Sequence, residues 1–282
     1  MMHADHHGQC DGFFLPGARG DRFCLFHPPD AGVPLRGAIV YLHPFAEEMN
    51  CARRTAVVQA RALAMLGFGV LQIDLAGCGD SACELREVRW QTWRQDVVDA
   101  AGWLRRNCSS HISLWGLRLG ALLALDCCHC LASAPEHLLL WQPVLDGRAF
   151  LNQFLRLGQV ARWTSEAAAP AREGATSRAV LEAGQTLEIG GYEISPSLAS
   201  SVDGINAADH AAPISRVGWL EVTCGAPDLA PSSRRQIATW RTQAVDIDVA
   251  VVQGPAFWSS HGHDANLDLL GATERLLRPV AA

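Results

Sequence analysis

SLWGLRLGALLAL, residues 113–125, is the stretch that decides the fold. A strand-like run, ISLW, enters a tight turn, Gly116-Leu117-Arg118-Leu119-Gly120, and leaves it as the helical run ALLAL. Two glycines four residues apart let a strand and a helix pack closely at a sharp bend. The middle side chain is then presented at the carboxyl end of a sheet, beside a helix N-terminus, where enzymes hold a nucleophile. Here the middle residue is Arg118, which stays protonated at any relevant pH and can neither attack nor accept a proton.

Outward from this turn, short apolar runs alternate with longer helical patterns. RGAIVYLHP, GFGVLQIDL, HISLWGL, HLLLWQPV, VGWLEVTC and DIDVAVVQG are near-continuous apolar strands. Such strands belong in a mostly parallel sheet covered on both faces. Between them, NCARRTAVVQARALAMLG predicts a helix capped at Asn50 and stopped at Gly67. From Trp90 onward, Trp93, Val97, Val98, Ala101 and Leu104 recur at helical spacing. The alternation predicts an α/β fold, a mostly parallel central sheet with helices on both faces.

One segment breaks the alternation. Residues 145–215 contain a helical piece, AFLNQFLRLGQVARW, an Ala/Pro/Arg stretch, EAAAPAREGATSR, and a hairpin signal, TLEIGGYEIS. This is too long for a plain loop. The predicted organisation is a core in two parts, 1–144 and 216–282, with 145–215 inserted as a cap.

The turn resembles the nucleophile elbow of α/β-hydrolases, and that resemblance implies places for other stretches. LHPFAEEMN follows the strand whose loop donates an N–H to the oxyanion hole, with His43-Pro44-Phe45 at that point and Glu47 and Glu48 just beyond. IDLAGCGDSA reads as a turn that packs the top of the sheet. Asp228, three residues after Gly225 in WLEVTCGAPD, matches the place of the usual acid. In VVQGPAFWSSHGHD, Phe257 holds the histidine position, and His261 or His263 lies a turn beyond. A triad needs a nucleophile, a base in reach and an orienting acid. Two of these three places depart from that pattern. The candidate catalytic residues are Arg118, Glu47, Glu48, Asp228 and His261. The candidate substrate-binding residues are His43, Phe45, Leu117, Leu119 and Phe257.

A charge of −6 gives no basic footprint for nucleic acid. MMHADHHGQCDGFFLPG lacks the basic and apolar regions of a secretory signal. The most apolar run, GALLALDCCHCLASA, is too short to span a bilayer and is broken by Asp126 and His129. A cytoplasmic protein is predicted, with its ten cysteines reduced. Cys127, Cys128, His129 and Cys130 read as thiols of a buried helix, because adjacent helical residues point in different directions. No cofactor and no metal are called for, and nothing sets an oligomeric state.

FFLPGARGDRFCLFHPP, YLHPFAEEMNCARR, LQIDLAGCGDSA, LWGLRLGALLALD and LLLWQPV together resemble the second of two α/β-hydrolase-like families associated with the exosortase A system. Those families accompany PEP-CTERM sorting and exopolysaccharide genes in Gram-negative bacteria. The resemblance runs from about Phe13 to Trp258, is weakest in the inserted segment, and includes the arginine of GLRLG. It implies an α/β-hydrolase fold and a hydrolase or acyl-transfer role. Arg118 admits two readings: a closed ion pair with Glu47, Glu48 or Asp228, or a receptor for a substrate carboxylate, phosphate or acidic sugar. An enzyme with a rearranged site and a catalytically silent relative that binds a ligand or partner both fit.

Overall fold

A computed structural model describes residues 10–164, 177–210, 216–262 and 264–278. The framework is an eight-stranded sheet in the order β1-β2-β4-β3-β5-β6-β9-β10. Its strands are β1 (Asp11–Leu15), β2 (Arg22–His27), β3 (Gly37–Leu42), β4 (Phe68–Ile73), β5 (Ile112–Leu117), β6 (Leu138–Trp141), β9 (Arg216–Thr223) and β10 (Asp246–Gln253). From β4 to β10 every neighbouring pair is parallel, and β2 is antiparallel to both β1 and β4. The six predicted strands are all present. β1 and β2 are two more, partly exposed and without a long apolar run.

The two-residue period of a strand divides the core between the two faces. Ala38, Val40 and Leu42 of β3 face one cluster. That side is covered by α2 (Trp90–Asn107), α3 (Leu119–Cys127) and α7 (Pro231–Thr242). Ile39 and Tyr41 face the other cluster, covered by α1 (Glu47–Met65) and α8 (Leu267–Leu277). The α1 helix starts three residues before the expected cap. Ala46 has φ 54° and turns the chain straight into the helix, while the Asn50 side chain donates to Glu47 instead. Gly67, just beyond the end of α1, has φ 91°, the left-handed conformation that ends a helix.

Between β6 and β9 the described chain adds no strand to this sheet. It forms α4 (Gly147–Thr164), α5 (Ser177–Glu182), α6 (Pro196–Asp203) and a separate hairpin of β7 (Leu187–Ile189) and β8 (Tyr192–Ile194). Gly190 and Gly191, at φ 58° and 86°, supply the two left-handed residues of its tight turn. Part of the Ala/Pro/Arg stretch, residues 166–176, lies outside the described residues.

Candidate active-site cleft

The elbow forms as its glycines require. A Cβ on Gly116 would meet the Gly120 carbonyl oxygen at 2.3 Å, and a Cβ on Gly120 would meet the Leu42 carbonyl oxygen at 2.2 Å. Side chains at either position would push α3 off β5 and β3. Between them Arg118 sits at φ 56°, ψ −117°, at the head of α3. Ala46 has nearly the same strained conformation, φ 54°, ψ −132°, at the head of α1. Each costs about 1–3 kcal/mol and recurs where a site is pre-organised. The two helix N-termini converge on one cleft, since Ala46 and Arg118 both line it.

The cleft is a cavity of about 350 Å³. Its walls come from three regions: Phe45 of the loop after β3, Phe150 and Phe154 of α4, and Ile189 and Tyr192 of the hairpin. Trp258, from the loop after β10, closes the side beside Arg118, with its ring 5.7 Å from the guanidinium carbon. Phe45 and Phe154 meet edge to face at 5.1 Å. The cavity is therefore aromatic around one cationic group.

Arg118 donates from Nε to Glu48 Oε1 at 3.2 Å. Among the described residues its Nη1 and Nη2 make no hydrogen bond. Burial raises the Glu48 carboxyl above the ordinary range, and Arg118 opposes that shift only in part. Glu48 Oε2 is buried and has no hydrogen-bond partner. The pair is thus neither fully closed nor fully open, with two free guanidinium nitrogens and one unsatisfied carboxyl oxygen.

Glu47, one residue earlier, is exposed and turns to the rim. It accepts from Asn50, from the Tyr192 hydroxyl at 3.0 Å and from His261 Nε2 at 2.6 Å. Those hydrogen bonds, that of Asn50 foremost, hold its carboxyl below the ordinary range. The hairpin and the loop after β10 are tied to α1 at this point. Glu47, Cys51 and His261 also bring one possible metal-ligand atom each to within 4.8 Å of one another. Glu47 and Cys51 are one helical turn apart; Glu47 and His261 are exposed and Cys51 is half-buried.

Other candidates from the sequence lie elsewhere. His43 is buried; its Nδ1 donates to Pro44 O at 2.7 Å and its Nε2 accepts from the Leu75 N–H at 3.1 Å. Burial lowers its pKa, so it is a neutral clamp between two loops and does not line the cavity. Leu117 and Leu119 are core residues on opposite faces of the sheet. The Leu119 N–H is in the first turn of α3, where no i−4 acceptor exists. Phe257 is buried against Trp141 and Trp258, and its neighbour Trp258 takes the place beside the site. Asp228 is an exposed acid paired with Arg234 at 2.7 Å, and it makes no contact with Arg118. The buried acid beside that loop is Glu221 of β9, which accepts from Trp219 and from the Ala230 N–H of the loop. His261 is held by Glu47 and is not among the cavity-lining residues, and His263 lies outside the described residues. The Asp74–Ser81 loop packs as expected: Ser81 Oγ accepts from the Phe23 N–H and donates to Asp74 O.

Sequence reasoning missed Trp258, Tyr192, Phe150 and Phe154. The two phenylalanines stand four apart on α4, so a shared helical face was readable. Ile189 and Tyr192 are directly paired across the hairpin, which the turn at Gly190-Gly191 also dictates.

No family model matches the chain, and no curated protein matches it in sequence. Solved structures do match along nearly its whole length. Est1E from Butyrivibrio proteoclasticus with bound ferulic acid superposes with a TM-score of 0.62 at 12% identity, covering 94% of this chain and 98% of that one. XC6422 from Xanthomonas campestris, an α/β serine hydrolase without a lid, gives 0.59 at 17% identity and covers 97% of both chains. Thermogutta terrifontis esterase 2, phosphonylated by cyclosarin, gives 0.58 at 15% identity, covering 96% and 94%. The chain has the α/β-hydrolase fold.

Proposed function

We propose that this α/β-hydrolase-fold protein works without a serine triad, and that its cleft receives an anionic group at Arg118 while the aromatic walls pack the body of the ligand. One observation carries this reading: two guanidinium nitrogens are free at an aromatic cavity of about 350 Å³. A planar guanidinium binds a carboxylate or phosphate through two parallel hydrogen bonds. The N-termini of α1 and α3 add positive potential at the same point. The ligand class is a small molecule bearing a carboxylate, a phosphate or an acidic sugar.

In this reading 145–215 is the cap, with α4 and the hairpin as its ligand-facing parts. The motif resemblance supports a place beside the exosortase and exopolysaccharide machinery, and a cytoplasmic location is part of the same reading. A thermal-shift series with glucuronate, inorganic phosphate and phenylacetate tests the binding claim. Stabilisation of wild type and not of Arg118→Lys is expected, because lysine keeps the charge and loses the fork. No response from either protein to any of these anions would sink it.

A second reading is favoured by the raised, half-satisfied Glu48. A carboxyl held above its ordinary range takes up a proton more readily than an ordinary one, and the Arg118 guanidinium can stabilise an oxyanion. Hydrolysis or acyl transfer would then run on Glu48. Turnover of p-nitrophenyl esters that resists fluorophosphonate and vanishes in Glu48→Gln is the signature. Absence of turnover in wild type leaves only the binding role.

A further inference from the structure

A second reactive group lies at the other end of the elbow helix. Cys127 is the last residue of α3, and Cys130 lies in the turn that follows. The Cys130 N–H donates to Cys127 O at 2.9 Å. That bond closes a four-residue turn, which keeps the two Cα atoms within about 7 Å, and a disulfide spans about 4.4–6.8 Å. Arg94 of α2 lays its fork on the second sulfur: Nη2 and Nε donate to Cys130 Sγ at 2.7 and 3.2 Å. Cys127 is fully buried, while Cys130 is partly exposed. The two thiols are thus unlike, one solvent-facing and held by a cation, the other shielded behind it.

We propose that Cys127 and Cys130 are a redox-active dithiol, with the Cys130 thiolate as the attacking sulfur and a hydroperoxide as the oxidant. Cys130 Sγ attacks the peroxide oxygen, the O–O bond breaks, and the alcohol or water leaves, giving a sulfenic acid. The Cys127 thiol then attacks that sulfur. The S–S bond forms, the S–O bond breaks, and the departing oxygen leaves as hydroxide or water. Two electrons pass from the dithiol to the peroxide.

The surroundings agree with this polarity. The Cys127 S–H and the Arg94 guanidinium hold the Cys130 thiol below the ordinary range, while Cys127 is held well above it. Asp126 opposes the thiolate, but its carboxylate is occupied by Trp90 at 2.6 Å and Arg94 at 3.4 Å. His210 approaches Asp126 at 3.8 Å and stacks on His129. Cys128 points away, with its thiol donating to Ala124 O. A thiolate next to a cation, partly exposed and with a resolving thiol in reach, has the features of a redox-reactive cysteine.

The test is peptide mapping after one equivalent of hydrogen peroxide. The expected product is a Cys127–Cys130 link; in Cys127→Ser the Cys130 sulfenic acid is trapped by dimedone. Iodoacetamide at pH 7 should alkylate Cys130 at least about tenfold faster than the exposed Cys224. Arg94→Gln, on a partly exposed side chain, should bring that ratio near one, and it serves where a cysteine variant fails to fold. Oxidation spread over the other eight cysteines, or equal alkylation of Cys130 and Cys224 in wild type, would overturn the proposal.

Discussion

Arg118 sits on the strained turn at the head of α3, where the sequence reading expects a nucleophile, and carries the opposite chemistry. Its side chain is only 17% exposed, its partner Glu48 24%. Placing serine there supplies an attacking oxygen but no histidine to deprotonate it. His261 is bonded to Glu47 at the rim, and Phe257, at the histidine position, is in the core. Arg118→Ser is therefore expected to hydrolyse p-nitrophenyl acetate no faster than the buffer, and fast turnover would reveal an aligned histidine. Glu48 competes with any anion for the guanidinium. Its pKa is already raised by burial, and an anion at Arg118 adds a second negative charge and raises it further. Binding then takes up a proton, so affinity rises as pH falls from the bound-state to the free-state pKa of Glu48 and is flat below. Glu48→Gln should remove that slope and tighten binding at pH 7.5 by about tenfold, the equivalent of one pKa unit. Calorimetric titration with whichever anion stabilises wild type reads both effects.

At the scale of elements, the elbow is the least forgiving contact. A Cβ on Gly120 would lie 2.2 and 2.5 Å from the Leu42 and His43 carbonyl oxygens, which are backbone and cannot swing aside. Gly120→Ala should cost about 3 kcal/mol or more, at the upper end of overpacking, measured as a lowered urea midpoint. The hairpin has a lighter attachment. Tyr192 donates to Glu47 and accepts from Asn50 at 3.2 Å, both at the exposed rim. Tyr192→Phe should speed amide exchange in β7 and β8 and leave the Tm within about 1 °C, because local opening does not draw on the global core. Equal exchange in both proteins would show that packing alone seats the hairpin. The hairpin itself was legible, since alternation around Gly190-Gly191 fixes both strands and turn. The start of α1 was not: the helix begins on the strained backbone of Ala46, a state that no side chain of that residue announces. The cysteine cluster was half legible. Neighbouring helical residues do point apart, but positions three apart share a turn, and the role of Arg94 depends on α2 lying against α3.

Across the whole molecule, the antiparallel entry of the chain is fastened by a buried pair. Arg22 of β2 donates to Asp96 of α2 at 2.7 Å, with both side chains almost wholly buried, and Asp96 also accepts from the Ala76 N–H after β4. One ion pair joins β2, α2 and the loop that leaves β4. Asp96→Asn should cost about 3–5 kcal/mol by leaving Arg22 buried without its counter-charge, whereas replacing both partners with apolar residues should cost less. Equilibrium denaturation of the three proteins distinguishes these outcomes. The sequence by itself determined the parallel sheet, the sharp elbow and the arginine at its tip. Buried strands must be apolar throughout, and two backbones can cross that closely only at glycine. Tertiary structure alone decided which acid answers the arginine. Asp228 sits at the spacing expected of a catalytic acid, yet the Ala230 N–H of that loop turns back to the buried Glu221 of β9 and Asp228 turns outward to Arg234. Glu48 reaches Arg118 across 70 residues because β3 and β5 are neighbours in the sheet and the helices that follow them start at the same end. Distance in space between charges is set by strand order and by helix starts, and neither is written in the spacing of the residues that carry them.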